Sequence, residues 1–196
     1  IADEKRLIGL ENNSDVLKLV VRPEKDSDHQ EFNMFINNYS VEWPQSDFSG
    51  NDNATLFYTS GSTGFPKGVL SSHRNVLATL FSWLCYSTIR SKMSDGASVL
   101  GENTDGTVKE ISVLHCVPLF HVTGSHSSFL MSVAVGRKIV MMKKWDATEA
   151  LRLIEQESIT NITGVPTQSW ELLSHPEREK YDISSLEDLG GGGAAR

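Results

Sequence analysis

Short β-rich runs alternate with helix-like runs along this chain, and the alternation limits the fold more than any other feature of the sequence. Apolar residues at helical spacing predict helices over residues 73–90 and 124–135, and a further helix follows Pro166. The predicted strands separate these helices and lie at residues 54–58, 111–117, 137–142, 159–163 and 186–189. Such alternation predicts an α/β fold in which a mostly parallel sheet is covered by helices on both faces.

The sequence also predicts a helix that begins directly after Asp146. Aspartate is a favoured N-cap residue, and Glu149 follows three positions later, as in a capping box. The apolar stripe of this helix comprises Ala147, Ala150, Leu151 and Ile154. We expect the stripe to pack on the sheet, and we expect ligands at the carboxyl ends of the strands, where open α/β sheets bind them.

The composition excludes several other classes of protein. With 39% hydrophobic residues among 196, the chain can bury a core, which excludes a disordered chain. No apolar run is long enough to span a bilayer, so we expect no transmembrane segment. Cys85 and Cys116 both lie in apolar contexts, which predicts core thiols in a reducing compartment and a cytoplasmic location.

The charges are unevenly distributed along the chain. There are 18 Lys and Arg residues against 25 Asp and Glu residues, a net charge of −7, which argues against nucleic acid as a partner. Residues 53–145 nevertheless contain nine basic and four acidic side chains, a local net charge of +5. Two interpretations remain open: buried elements carry few charges, or the middle of the chain binds an anion.

A dense group of anion donors follows the predicted strand at residues 54–58. Residues 59–68 read Thr-Ser-Gly-Ser-Thr-Gly-Phe-Pro-Lys-Gly. The glycines let backbone N–H groups converge on one anion, while the hydroxyls add donors and the lysine adds a positive charge. The spacing differs from that of a Walker A loop, because Lys67 lies between Pro66 and Gly68 instead of preceding Ser or Thr.

This segment resembles the phosphate loop of the adenylate-forming superfamily, whose signature has the form Thr-Ser-Gly-Ser/Thr-Thr-Gly-x-Pro-Lys-Gly. The superfamily includes acyl-CoA and aryl-CoA synthetases, firefly luciferase and the adenylation domains of peptide synthetases. Residues 118–124, 164–167 and 182–186 resemble later motifs of the same superfamily, and the last of them leads to a Gly-Gly-Ala loop at residues 192–194. The Phe-His-Val-Thr-Gly sequence at residues 120–124 is most similar to that of fatty-acid CoA ligases.

The resemblance implies that the loop holds the phosphates of ATP and the departing pyrophosphate. The implied ATP-binding residues of the loop are Thr59, Ser60, Gly61, Ser62, Thr63, Gly64 and Lys67. Of these, Lys67 is also implied to act in catalysis, and Thr63 is implied to approach Mg²⁺.

The later motifs imply further site residues. His121 is expected to act where the acyl carboxylate meets the channel for CoA, and Thr123 is expected to line the acyl pocket. Lys144 is expected to meet the phosphates of CoA. The wall beside the adenine and the acyl group is expected to comprise Gly192, Gly193 and Ala194. His115 and His126 match no motif and are interpreted as structural.

The same resemblance implies a domain organisation and a reaction. Residues 1–196 would be part of the N-terminal AMP-binding domain of an ATP-dependent acyl-CoA synthetase, with a mobile loop at residues 94–107 and the C-terminal lid domain absent. The full-length protein would use ATP and Mg²⁺ to adenylate a carboxylic acid, expected to be a fatty acid, and would then transfer the acyl group to CoA. This fragment alone would be inactive. The open alternatives are an aryl-CoA ligase, a peptide-synthetase adenylation domain and a nucleotide-binding pseudoenzyme.

Overall fold

The computed structural model describes residues 1, 3–8, 17–24, 27–39, 42, 46–59, 64–93 and 110–191, in two compact units. The first unit comprises residues 1–47, and within it Leu7, Leu19 and Val20 are buried. Its elements are α1 (Glu4–Ile8), β1 (Leu19–Val20), β2 (Gln30–Glu31) and α2 (Phe32–Asn37). The two short strands pair in parallel.

The second unit, residues 48–196, contains the elements that the sequence predicts as strands and helices. Its strands are β3 (Asn53–Thr59), β4 (Lys67–Ser72), β5 (Ser112–His115), β6 (Lys138–Met141), β7 (Asn161–Gly164) and β8 (Asp188–Gly191). Its α-helices are α3 (His73–Met93), α4 (Met131–Val135), α5 (Ala147–Glu157) and α6 (Pro166–Leu173). A π-helix (Thr123–Leu130) runs directly into α4, and a 3-10 helix covers Arg178–Lys180.

A four-stranded parallel sheet, in the order β6-β5-β7-β8, confirms the predicted fold class. From β5 the chain runs through the π-helix and α4 to β6, which neighbours β5 at one edge of the sheet. It then returns through α5 to β7, on the opposite side of β5, and continues through α6 to β8 at the other edge. Crossovers between parallel strands are right-handed, so connections that run in opposite directions lie on opposite faces of the sheet. The π-helix and α4 therefore cover one face, and α5 and α6 cover the other.

The main hydrophobic core lies beneath α5 and α6. Three residues of the predicted stripe, Ala150, Leu151 and Ile154, are fully buried. They form one cluster with Leu114 of β5 and Ile162 of β7. Complete burial of a leucine or isoleucine side chain contributes about 1.5–3 kcal/mol, so this cluster is a principal source of stability for the second unit.

Asp146 caps α5, as the sequence predicts. Its Oδ1 accepts a hydrogen bond from the backbone N–H of Glu149 at 2.8 Å. The Glu149 carboxylate does not reach back to complete a capping box, because it accepts from Nε and Nη2 of Arg152, both at 2.7 Å. These bonds from Arg152 lower the pKa of Glu149 below its ordinary value.

The strand predicted at residues 54–58 belongs to an antiparallel hairpin and not to the parallel sheet. β3 pairs with β4 in a separate two-stranded sheet. The physical reason is the short connection between them, residues 60–66, because a parallel crossover needs about a dozen residues or more. On one face of the hairpin, Leu56 and Tyr58 of β3 are exposed.

The two cysteines differ in environment, and the prediction of a core thiol is wrong for one of them. Cys85 lies in the predicted helix α3 and is exposed. Its apolar neighbours in sequence do not decide which side of α3 another element covers. Cys116 is half-buried beyond the end of β5, and burial raises the pKa of its thiol to about 11.

Two further expectations from the sequence concern a loop and a membrane span. The loop expected at residues 94–107 lies outside the described residues. Among the described helices, none combines the length and the apolar character needed to cross a membrane.

Candidate functional site

The carboxyl edge of the parallel sheet brings several of the predicted site residues to one side of the molecule. Because β5, β6 and β7 are parallel, the segments that follow them emerge at the same edge. His121 follows β5, Lys144 follows β6 and residues 165–167 follow β7. The sequence motifs on three separate strands therefore converge because of the sheet topology.

His121 lies in a tight turn between β5 and the π-helix. Its backbone N–H donates to the Pro118 carbonyl oxygen at 3.1 Å, and its carbonyl oxygen accepts from the backbone N–H of Ser125 at 2.9 Å. The imidazole is exposed and lies beside the ring of Phe120, with ring centroids 4.7 Å apart. Thr123 is half-buried at the first position of the π-helix. The turn thus presents an exposed imidazole on a backbone that is bonded on both sides.

Gly124 allows this turn to close. A Cβ at position 124 would lie 2.3 Å from the carbonyl oxygen of Pro118 and 2.6 Å from that of Val117. Both distances are too short for any side chain, and the opposing atoms belong to the backbone, which cannot swing aside. The glycine of the Phe-His-Val-Thr-Gly motif is therefore required for the close approach of the π-helix to residues 117–118.

Two histidines near the turn are buried and paired with serine hydroxyls. Nδ1 of His115 lies 2.8 Å from Oγ of Ser128, and Nδ1 of His126 lies 2.8 Å from Oγ of Ser125. His115 is 3% exposed and His126 is 5% exposed, and burial lowers the pKa of both imidazoles below the ordinary value. The His115–Ser128 pair joins β5 to the π-helix, whereas Ser125 and His126 are neighbours within that helix.

The anion loop, which we define as residues 59–67, connects the two strands of the antiparallel hairpin. Thr59, the last residue of β3, is the direct cross-strand partner of Lys67, the first residue of β4. Lys67 is exposed, and no ion pair joins it to any residue that the structure describes. Gly64 has a φ of +88°, a backbone conformation that favours glycine. The pairing of the two strands brings together the residues at which the loop begins and ends.

Other predicted site residues of the loops lie outside the described part of the chain. They are Ser60, Gly61, Ser62 and Thr63 of the anion loop, and Gly192, Gly193 and Ala194 beyond β8. Lys144 is described and is exposed after the end of β6, together with Lys143. Within the described ranges, no group of three or more His, Cys, Asp or Glu side chains is arranged to hold a metal ion.

Gln168 supports the segment after β7, and its role was missed at the level of sequence. Its Oε1 accepts from the backbone N–H of Val165 at 2.9 Å and lies 3.9 Å from the thiol of Cys116. A Cβ at Gly164 would lie 2.3 Å from the same oxygen. Gln168 occupies the third position of α6, where a side chain can reach back to the N-cap residue, and that spacing is the signal that could have identified it.

Comparison with known proteins gives one family and several relatives. The AMP-binding enzyme family matches residues 2–196. A long-chain-fatty-acid–CoA ligase of Bacillus subtilis (strain 168) is 34% identical over 144 residues, which cover 74% of this chain and 23% of the relative. The 4-coumarate–CoA ligase 5 of Oryza sativa subsp. japonica is 33% identical over 145 residues, which cover 74% of this chain and 24% of the relative.

The fold is also similar to that of a solved structure. The inhibitor-bound N-terminal domain of FACL13 from Mycobacterium tuberculosis matches with a TM-score of 0.61 and 25% identity, covering 83% of this chain and 36% of that chain. The present chain spans about a quarter of the length of the curated relatives it matches.

Proposed function

The chain belongs to the AMP-binding enzyme family, and we propose that it is part of the N-terminal domain of a longer ATP-dependent acyl-CoA synthetase of the AMP-forming type. The two relatives described above are CoA ligases by name, and the chain covers about a quarter of each. We propose further that the full-length protein carries a C-terminal lid domain outside residues 1–196 and that this chain by itself is inactive.

The observation that carries the proposal is the cross-strand pairing of Thr59 with Lys67. It closes a segment rich in glycine and hydroxyl side chains and brings a lysine to its end, which is a favourable arrangement for binding phosphate groups. The loop offers backbone N–H groups and hydroxyls, and the exposed Lys67 adds a positive charge at the same place. We assign the β- and γ-phosphates of ATP, and pyrophosphate as it leaves, to residues 59–64 and Lys67.

The proposed reaction has two steps. In the first, a carboxylate oxygen of the acid forms a bond to the α-phosphorus of ATP, and the bond from that phosphorus to the bridging oxygen breaks, releasing pyrophosphate. In the second, the thiol of CoA loses its proton to solvent and its sulfur forms a bond to the acyl carbon. The bond from that carbon to the phosphate oxygen breaks, and AMP leaves. The chain contributes by holding the reactants in line and by stabilising the negative charge that develops on the phosphates, chiefly through Lys67.

The carboxyl edge of the sheet supplies the proposed acyl and CoA contacts. We assign His121 to the junction between the acyl group and the CoA thiol, because its exposed imidazole lies on a turn that is fixed by backbone hydrogen bonds. Thr123 lines the acyl pocket in this proposal, and the exposed Lys144 meets the phosphates of CoA. The adenine is assigned to Gly192, Gly193 and Ala194 on the basis of their sequence motif alone.

Among the described residues, no group of three or more His, Cys, Asp or Glu side chains is placed to hold Mg²⁺, and the one proposed ligand, Thr63, lies outside them. Mg²⁺ would screen the charge of the phosphates when bound.

A fatty acid is the proposed substrate, with an aromatic acid as the second candidate. The form of the His121 motif and the 34% identity to a long-chain-fatty-acid–CoA ligase favour the fatty acid. The 33% identity to a 4-coumarate–CoA ligase supports the alternative almost equally, so the two must be separated by measurement.

The proposal is tested by assaying the full-length protein with ATP, Mg²⁺ and CoA against a long-chain fatty acid and against 4-coumarate. AMP and the acyl-CoA product should form in equal amounts with the fatty acid, and more slowly with 4-coumarate. A preference for 4-coumarate would favour the second candidate. ATP that is not cleaved with either acid would indicate a pseudoenzyme, and acyl-adenylate that is never transferred to CoA would exclude a CoA ligase.

A further inference from the structure

Ser125 fastens the His121 turn from within the first turn of the π-helix. Its backbone N–H and its hydroxyl both donate to the carbonyl oxygen of His121, at 2.9 and 3.0 Å. The N–H of His121 donates to Pro118 on the other side. The exposed imidazole of His121 therefore stands on a backbone that the Ser125 hydroxyl helps to hold, together with two backbone hydrogen bonds.

His126 supports the hydroxyl of Ser125. The two side chains lie 2.8 Å apart, from Nδ1 to Oγ, and the imidazole is buried. A hydroxyl has one proton to donate. Because the His121 carbonyl can only accept, we assign the Ser125 proton to it and the Nδ1–H tautomer to His126, whose ring then donates to the Ser125 oxygen. A directed chain of hydrogen bonds thus runs from a buried imidazole, through a serine hydroxyl, to the backbone of His121.

His126 also contacts the strand that leads into the anion loop. Its ring meets the ring of Phe57 edge to face, with centroids 5.6 Å apart. Phe57 lies in β3, which ends at Thr59, where the anion loop begins. The same imidazole therefore touches the hairpin that carries the anion loop and, through Ser125, the turn that carries His121.

We propose that Ser125 and His126 are positioning residues for His121 and hold its imidazole in the orientation needed for transfer of the acyl group to CoA. The proposal rests on the proposed function, which gives His121 its role. The chain of hydrogen bonds ends on a backbone carbonyl oxygen, so its effect is on geometry and involves no transfer of a proton. A small displacement of a reacting or orienting group is sufficient to slow a reaction greatly.

The neighbouring pair of His115 and Ser128 provides a matched control. It has the same two side-chain types, the same 2.8 Å separation and an equally buried imidazole, while Ser128 is buried and Ser125 is half-buried. The backbone carbonyl of Ser128 accepts from the hydroxyl of Ser132 at 2.6 Å, so this pair joins β5 to the π-helix and α4 and not to the His121 turn. Loss of the Ser128 hydroxyl removes its contact with His115. Loss of the Ser125 hydroxyl removes the contact with His126 and one of the two hydrogen bonds to the His121 carbonyl oxygen.

The experiment compares the two half-reactions in the full-length protein. Adenylation is followed by ATP–pyrophosphate exchange, and thioester formation by single-turnover reaction of pre-formed acyl-adenylate with CoA. We expect S125A to slow thioester formation by about tenfold and to change the exchange rate by less than about twofold, whereas S128A changes the ratio of the two rates by less than about twofold.

Conservative variants distinguish a role in positioning His121 from a general loss of folded structure. S125T should retain thioester formation, because a helical threonine hydroxyl also bonds the carbonyl four residues earlier. H126N should retain more of the rate than H126A, because its amide N–H can donate to Ser125. Equal effects of S125A and S128A on both half-reactions, or an S125T variant as slow as S125A, would overturn the proposal.

Failure of the proposed function gives a different result. A wild-type protein without ATP–pyrophosphate exchange, or an H121A variant that forms the thioester at the wild-type rate, contradicts the function assigned to the site. In either case the comparison of Ser125 with Ser128 no longer concerns acyl transfer, and the positioning proposal falls with it. If H121A is slow and S125A is not, only the positioning proposal fails.

Discussion

Lys67 is the direct cross-strand partner of Thr59 in the antiparallel pairing of β3 with β4. The two residues at which the anion loop begins and ends are therefore held at the spacing of adjacent strands, before any ligand binds. Under the proposed function, this pre-organisation would reduce the conformational entropy lost when residues 59–67 bind a phosphate.

Replacing Lys67 by alanine should slow adenylation greatly in the full-length protein. Removal of one preorganised contact to developing charge commonly costs about 2.7–4 kcal/mol, or roughly 10²–10³ in rate. ATP–pyrophosphate exchange measures the effect. The exposed Lys92 near the end of α3 gives a matched control, and K92A should exchange at the wild-type rate. If K67A exchanges pyrophosphate at the wild-type rate, the assignment of the ATP phosphates to this loop is contradicted.

Replacing Gly124 by alanine should destabilise the protein. The new Cβ would meet the backbone oxygens of Val117 and Pro118 at less than 3 Å, so the turn must shift. Overpacking of this kind costs about 1–3 kcal/mol, which thermal unfolding would detect. G50A is the control, because a Cβ at Gly50 comes no closer than 3.8 Å to the Arg74 side chain. If both variants unfold at the same temperature as the wild type, the close approach of the Val117 and Pro118 carbonyl oxygens to Gly124 is contradicted.

The two cysteine thiols should react at very different rates with an alkylating reagent at pH 7.5. Only the thiolate is nucleophilic, and burial raises the pKa of Cys116 to about 11. Cys85 is exposed on α3 and should be modified first. Mass spectrometry of the digested native protein gives the extent of labelling at each site, and labelling in denaturant shows that both peptides are recovered. Equal labelling of the native thiols would contradict the burial of Cys116.

Burial of His115 should make stability depend on pH in mildly acidic solution. Its folded-state pKa lies below the ordinary value of 6.5, so the unfolded chain binds a proton more readily than the folded chain. The free energy of unfolding is therefore highest above pH 6.5 and decreases as the pH falls toward the lowered pKa.

Urea unfolding of the wild type and of H115Q at pH 7.5, 6.5 and 5.5 measures this contribution. The carboxylates titrate in both proteins, so the difference between the two curves isolates the histidine. We expect the variant to lose less stability than the wild type between pH 6.5 and 5.5. Parallel curves would show that His115 is protonated equally in the folded and unfolded states.

Local patterns in the sequence determine where elements begin and end, because these signals depend on neighbouring residues. Asp146 predicts the start of α5 since its carboxylate reaches an N–H three residues later, and the structure contains that bond at 2.8 Å. The stripe of Ala150, Leu151 and Ile154 predicts a buried face because helical periodicity places the three side chains together. The anion loop and the family resemblance likewise depend on contiguous residues.

Which elements pack against one another was decided only by the tertiary structure. β3 turns back on β4 instead of joining the parallel sheet, and Cys85 is left exposed on a helix whose sequence resembles a core helix. The link between Phe57 and His126 joins residues far apart in the chain. Such contacts depend on how the elements pack, and packing is set by the summed burial of many side chains, which no short stretch of sequence contains.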